Sequence, residues 1–305
     1  MPRRMSPSEV RSKLRQAQSK YNRAVNRYNS AVRAHNQQVR TAVSKYNREV
    51  NSYNSAARAH NARVRANRER LRRELAKLER AASRPAYVTL RTSVNSVQHS
   101  YSQLEARAET GIYSERYNNI LDLSEREAAN SAEVMNALLG NPEDAGAIED
   151  LTASELDPIL SELSGDALDR WHGALFSLNP RNPDAARHFC TSARELLAMI
   201  LDKFAPNRRV LEAMPDCETI PSGAPSRRAK IRYFLHQREL ADEALEAFVD
   251  EDLENVLQLF RTFNDGTHGS SGRFTHAQLV AIKKRVEGAV SFLWHIIPQP
   301  LRQAA

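Results

Sequence analysis

Near the C-terminal end of the chain, residues 261–278 read RTFNDGTHGSSGRFTHAQ. Arg261 and His268 are the pair here whose types and spacing could do chemistry. Cleaving RNA without a metal ion needs three things. The 2′-hydroxyl must lose a proton, the charge on a phosphorane-like transition state must be neutralised, and the leaving 5′-oxygen must gain a proton. An imidazole titrates near neutrality and can move both protons, while a positioned guanidinium neutralises the phosphate. Gly266 and Gly269 flank His268 and allow a sugar-phosphate to come close to the backbone. Asn264 and Asp265 could orient the imidazole or bind ribose, and Arg273 and His276 could add a second cationic contact. The spacing alone is a weak signal, since an Arg seven residues before a His also occurs where a helix ends in an ordinary loop.

The elements that would hold these residues are helices. Asp250 is placed to cap EDLENVLQLFRTF, with Arg261 in its last turn, and Thr275 with Gln278 forms a capping box at the start of the final helix. Upstream, a segment over about 153–178 ends before NPRNP, and another begins at Asn182-Pro183-Asp184 and stops at Pro206. A third, RRAKIRYFLHQRELADEALEAF, follows a Pro/Gly/Ser-bearing loop. Thr152 and Glu155 look like a further capping box after the acidic stretch NPEDAGAIEDLTASELDP. No segment sustains strand alternation, so the class is all-α, with a helical bundle over 151–305 and a helical connector over 111–150.

Residues 1–110 form a basic arm built on a repeat. YNRAVNRYNSAVRAHNQQVRTAVSK (21–45) recurs as YNREVNSYNSAARAHNARVRANRER (46–70), a 25-residue period. Tyr21, Val25, Tyr28, Val32, His35, Val39 and Val43 step by four and three, then Tyr46, Val50, Tyr53, Ala57, His60 and Val64 repeat the pattern. This is a heptad seam carrying a stutter, the mark of a coiled coil. Ser6, Pro7 and Glu9 start the helix with a capping box. A weak seam of Tyr and His needs a second helix to bury it. The segment after SRP (83–85), with Leu90, Val94, Val97, Tyr101 and Leu104, is the expected return arm of a hairpin.

Charge divides along the chain. Residues 1–85 hold 22 of the 44 Lys and Arg but 5 of the 37 Asp and Glu, a net of +17 against −10 for the remainder. Such an arm can meet nucleic acid, a protein partner, or only solvent. No apolar run is long enough to span a bilayer, no secretion signal is evident, and the two cysteines lack metal-ligand spacing. A reducing, cytoplasmic setting is expected, with no cofactor. The acids of DALD and DEDLEN fall where solvation or capping explains them. His172, His188, His236 and His295 are expected at core edges, and Trp171, Phe176, Phe189, Phe234, Phe260, Phe263 and Trp294 within the bundle core.

The pattern R-x6-H at a helix end resembles the signature of the HEPN superfamily of helical-bundle ribonucleases. WHGALFSLNPRNPDAARHFCTSARELL (171–197), together with FNDGTHGSSGRFTHAQLVAIKKRVEGAVSFL, is similar to the predicted pPIWI-associating nuclease domain of bacterial conflict systems. The resemblance covers about residues 153–296 and leaves out the coiled coil. It implies a metal-independent endoribonuclease of an anti-phage defence or toxin system. Arg261 and His268 would be catalytic, RNA the substrate, and two chains would pair to complete one cleft. Two other classes stay open: a non-catalytic coiled-coil scaffold in a defence complex, and a metal-dependent DNase.

Overall fold

The computed structural model describes residues 6–81, 87–110, 115–140, 150–238, 242–264 and 274–303. Among them the regular elements are all helices, and one isolated bridge joins Thr219 to Pro225. None of these helices is long and apolar enough to cross a membrane.

Helix α1 (Pro7–Arg80) begins as its sequence requires. The Glu9 carboxylate accepts from the Ser6 N–H at 2.8 Å, and the Ser6 hydroxyl accepts from the Glu9 N–H at 3.3 Å, closing the capping box. The chain divides into two compact units, residues 1–63 and 64–305. In the first, the seam side chains of α1 are largely exposed, Tyr21, Tyr28, Tyr46 and Tyr53 among them.

The second unit gathers the last turns of α1 with α2 (Val88–Thr110), α3 (Glu115–Leu139), α4 (Asp157–Leu163), α5 (Gly165–Ser177), α6 (Ala185–Phe204), α7 (Asn207–Ala213), α8 (Arg227–Gln237), α9 (Glu243–Asn264), α10 (His276–Ile296) and α11 (Gln299–Gln303). Helix α2 packs on α9 and α3, α10 lies along α3, and α6 lies against α5 and α9. Edge-to-face rings tie the layers together. Tyr101 of α2 meets Phe248 of α9 at 6.2 Å, Phe248 meets Phe292 of α10 at 6.0 Å, and Phe204 of α6 meets Trp294 of α10 at 5.6 Å. Each such pair adds about 0.5–1.5 kcal/mol beyond its buried area.

The expected return arm takes part in the core of the second unit. Leu90, Val94, Val97, Tyr101 and Leu104 are buried, but their face is spent on α9 and α3. The end of α1 runs back along α2: Arg91 donates to the Leu78 and Ala81 carbonyls, and Arg68 pairs with Glu105 at 3.6 Å. The SRP turn lies outside the described residues. Compact packing divides the chain at Arg63/Val64, and α2 and α3 contribute to the core of the second unit. Removing residues 1–63 is therefore expected to leave a cooperatively folding protein, whereas removing 1–110 strips α2 and should abolish the thermal transition. Calorimetry of the two truncations checks this.

Local expectations also shift. The helix expected over 153–178 breaks at Ser164, whose hydroxyl caps α5 by accepting from the Ala167 N–H. Thr152 and Glu155 form no capping box. Instead the Asp150 carboxylate accepts from the Thr152 N–H and hydroxyl, and the Ser154 hydroxyl accepts from the Leu156 N–H. Asp250 caps nothing, being mid-way along α9. The cap is Asp242, which accepts from the N–H groups of Ala244 and Leu245. Phe176, expected in the core, is 87% exposed, and His172, His188, His236 and His295 are exposed as well.

Candidate active site

Arg261 sits in the last turn of α9, as its sequence position suggests, with a side chain 49% exposed. Its guanidinium pairs with Glu254 and donates to the Gln258 side-chain oxygen at 3.3 Å, both one to two turns back along the same helix. These partners keep the cation at the helix end without burying it. An exposed pair of this kind contributes about 1 kcal/mol or less to stability, so Arg261 is available to an incoming anion.

The start of α10 is fixed on the other side of the junction. The Thr275 hydroxyl accepts from the Gln278 N–H and the Gln278 side chain accepts from the Thr275 N–H, the capping box expected from the sequence. Gln278 also donates to the Ala137 carbonyl at the end of α3, anchoring this turn to the body. His276, the first residue of α10, is half-buried. Phe263 and Phe274 meet edge to face with ring centres 5.0 Å apart, so the two ends of the junction are clasped together.

Of the expected site residues, the structure thus places Arg261 and His276 on the two helices that this ring contact joins. Asn264 is the last residue of α9. Asp265, His268 and Arg273 lie outside the described residues.

Further into the body lies a polar layer that the sequence reading missed. Arg285 of α10 is fully buried, and each of its nitrogens is used. Nε donates to Asn255 Oδ1 at 3.0 Å, and Nη1 to Glu127 Oε2 at 2.9 Å. Nη2 donates to Asp252 Oδ1 at 2.6 Å and to the Asp252 carbonyl at 2.9 Å. The Asn255 amide donates onward to the Ser93 hydroxyl of α2, so one guanidinium joins α3, α9 and α10 and reaches α2. Asn130 completes the group by donating to Glu127 at 3.1 Å. Helix α10 approaches α3 so closely here that a Cβ on Gly288 would lie 2.5–2.6 Å from Asn130 Nδ2 and the Glu127 oxygens, so any larger residue would push these hydrogen-bonded side-chain ends aside.

Two buried carboxylates share one buried cation. Burial, with the Asp252 charge added, pushes Glu127 up to about 7 against the pull of Arg285, and burial also raises Asp252. Complete burial separates this layer from any polymeric substrate. Its work is to fix α9 and α10, the helices that end at the junction. Asp250 belongs to a second buried pairing, with Arg228 at 3.0 Å and Arg232 at 3.5 Å, and burial pushes it up to about 6 against those cations. Asp250 and Asp252 of DEDLEN are therefore interior groups where solvation or capping had been expected, while Glu254 stays at the surface with Arg261. The available signal was periodic: Asp252 and Asn255 continue the stripe of Leu245, Phe248 and Val249, and Arg285 lies between Ile282 and Ala289.

A cleft of about 800 Å³ is lined by Arg70, Arg126 and Lys283 facing Glu133 and Glu287. Its mixed charge offers a phosphate chain no surface of one sign. Among the described residues, no three His, Cys, Asp or Glu side chains converge as a metal-ligand set. Cys190 and Cys217 are both free thiols, the former buried.

No curated protein and no solved structure matches the chain. The C-terminal region, residues 160–293, matches the family of predicted pPIWI-associating nucleases, and the match takes in the whole α9–α10 junction with Arg261 and His276.

Proposed function

We propose that the protein is an endoribonuclease that cuts RNA without a metal ion, acting in a bacterial defence or toxin system, with Arg261 and His268 as its catalytic pair. The observation that carries this reading is the placement of Arg261. It is an exposed guanidinium at the end of α9, beside a junction clasped by Phe263 and Phe274, within the region matching a nuclease family. In the reaction, a base takes the proton of the 2′-hydroxyl and the 2′-oxygen attacks phosphorus. Arg261 neutralises the equatorial oxygens, and an acid returns a proton to the departing 5′-oxygen. The products are a 2′,3′-cyclic phosphate and a free 5′-hydroxyl. His268 supplies the proton transfers, and Asn264 or Asp265 orients it. Arg273 and His276 hold the flanking phosphates. One His per chain gives one base or one acid, so a pair of chains meeting at this junction supplies both, as the HEPN resemblance implies.

A second reading, a scaffold without catalytic activity, is favoured by the exposed seam of α1, a feature with no part in the chemistry above. Incubation with RNA and with DNA, each with and without EDTA, separates the readings. The expected result is RNA cleavage that persists in EDTA and leaves 2′,3′-cyclic ends. Loss of cleavage on chelation would point to a metal-dependent nuclease, and intact RNA and DNA would point to the scaffold.

A further inference from the structure

We infer that α1 is a self-pairing element, its tyrosine–valine stripe docking on the same stripe of a second copy of this chain. The inference concerns residues 21–53 and stands apart from the chemistry of the junction. Tyr21, Tyr28, Tyr46 and Tyr53 are between 66% and 74% exposed, and Val32, Val39, Val43 and Val50 between 36% and 52%. At about 100° per residue these eight side chains fall within roughly 40° of one line along the helix. A continuous apolar stripe of this length on a soluble helix is a surface built to be covered.

Three features select a second copy as the cover. The first is charge. Every Lys and Arg between Arg15 and Arg58 falls at least about 100° from the stripe's centre line, so two such helices meet along uncharged faces and their like charges point outward. The second is the repeat. Seven stripe positions in 25 residues give about 3.57 residues per turn, between the 3.5 of a tight left-handed coil and the 3.6 of a straight helix. Two helices with that period follow one another through both repeats, and each Tyr-Val-Tyr block meets an equivalent block. The third is area. An aromatic side chain buries at least ~150 Å² when covered, so four tyrosines exposed by two-thirds or more bring about 400 Å² per chain. With the valines added, the pair buries on the order of 1,200 Å² or more, within the range of specific interfaces. The polar hydroxyls and the histidines keep the seam weaker than an aliphatic one and suit it to reversible pairing.

The test uses the full chain freed of nucleic acid. Val43 lies at the middle of the whole seam from Tyr21 to Val64, so it faces its own counterpart whether two helices paired along that seam run parallel or antiparallel, whereas Arg48 lies opposite the stripe. Under mild oxidation Val43→Cys should form a disulfide-linked dimer about tenfold or more faster than Arg48→Cys, since the bond needs Cα atoms within about 7 Å. Tyr28→Lys/Tyr46→Lys introduced into the Val43→Cys chain should abolish that cross-link while the thermal transition of the body is unchanged. Equal cross-linking at positions 43 and 48, or cross-linking that appears only when RNA is added, overturns the inference. RNA cleavage by the same preparations is scored separately. A cleaving protein whose arms do not cross-link defeats only this proposal, and a cross-linking protein that does not cleave defeats only the nuclease reading.

Discussion

Replacing Arg285 with alanine should cost on the order of 3–5 kcal/mol of stability, read as the shift in free energy from urea unfolding. The side chain is fully buried and its guanidinium is the shared partner of Glu127, Asp252 and Asn255. Alanine leaves the buried Asp252 carboxylate without its ion-pair partner, leaves Glu127 with Arg126 at 3.4 Å as its remaining cation, and opens a void where the long side chain lay, and these effects have the same sign. A second variant separates them. Adding Glu127→Gln and Asp252→Asn to Arg285→Ala removes the unpaired charges and should recover part of the loss, because the largest cost of breaking such a group is the charge left behind. A single-variant cost under about 1 kcal/mol would show that the layer is solvated in solution. The same loss should loosen the junction, since α9 and α10 are joined through this guanidinium one to three turns from Arg261 and His276.

Residues that act through their neighbours in sequence were readable, and those that act through distant partners were not. Ser6 with Glu9, and Thr275 with Gln278, form capping boxes in the structure because a cap is set within four residues of chain. The place of Arg261 in the last turn of α9 follows from the same local logic. Asp250 failed because an acid before an apolar run looks the same whether it caps a helix or lies inside one. Its true partners, Arg228 and Arg232, come from another helix. Asp252 and Arg285 sit about thirty residues apart in sequence, and their meeting depends on how α9 and α10 pack, which no window of sequence encodes. The packing partners of α2 are hidden in the sequence for a related reason. The stripe of Leu90, Val94, Val97, Tyr101 and Leu104 shows that α2 needs an apolar partner, but periodicity does not say that α9 and α3 provide it. Phe176 is exposed in spite of its type, and nothing in the described structure explains why.

Arg261→Ala and His268→Ala should each abolish RNA cleavage while leaving the thermal midpoint unchanged. For Arg261 the expected loss is about 3 kcal/mol of transition-state stabilisation, a hundredfold or more in rate, because the guanidinium would neutralise charge that exists only as phosphorus becomes five-coordinate. Its exposed pairing with Glu254 contributes little to folding, so loss of activity without loss of stability is the diagnostic outcome. Arg261→Lys should restore less than full activity, since an ammonium lacks the two-pronged geometry that matches a phosphate. The central claim is that this junction cuts RNA with side chains alone. It is tested most directly by comparing wild type and His268→Ala on single-stranded RNA in excess EDTA. The account predicts cleavage by the wild type and none by the variant. Equal cleavage by both, or wild-type cleavage that stops in EDTA, would contradict it.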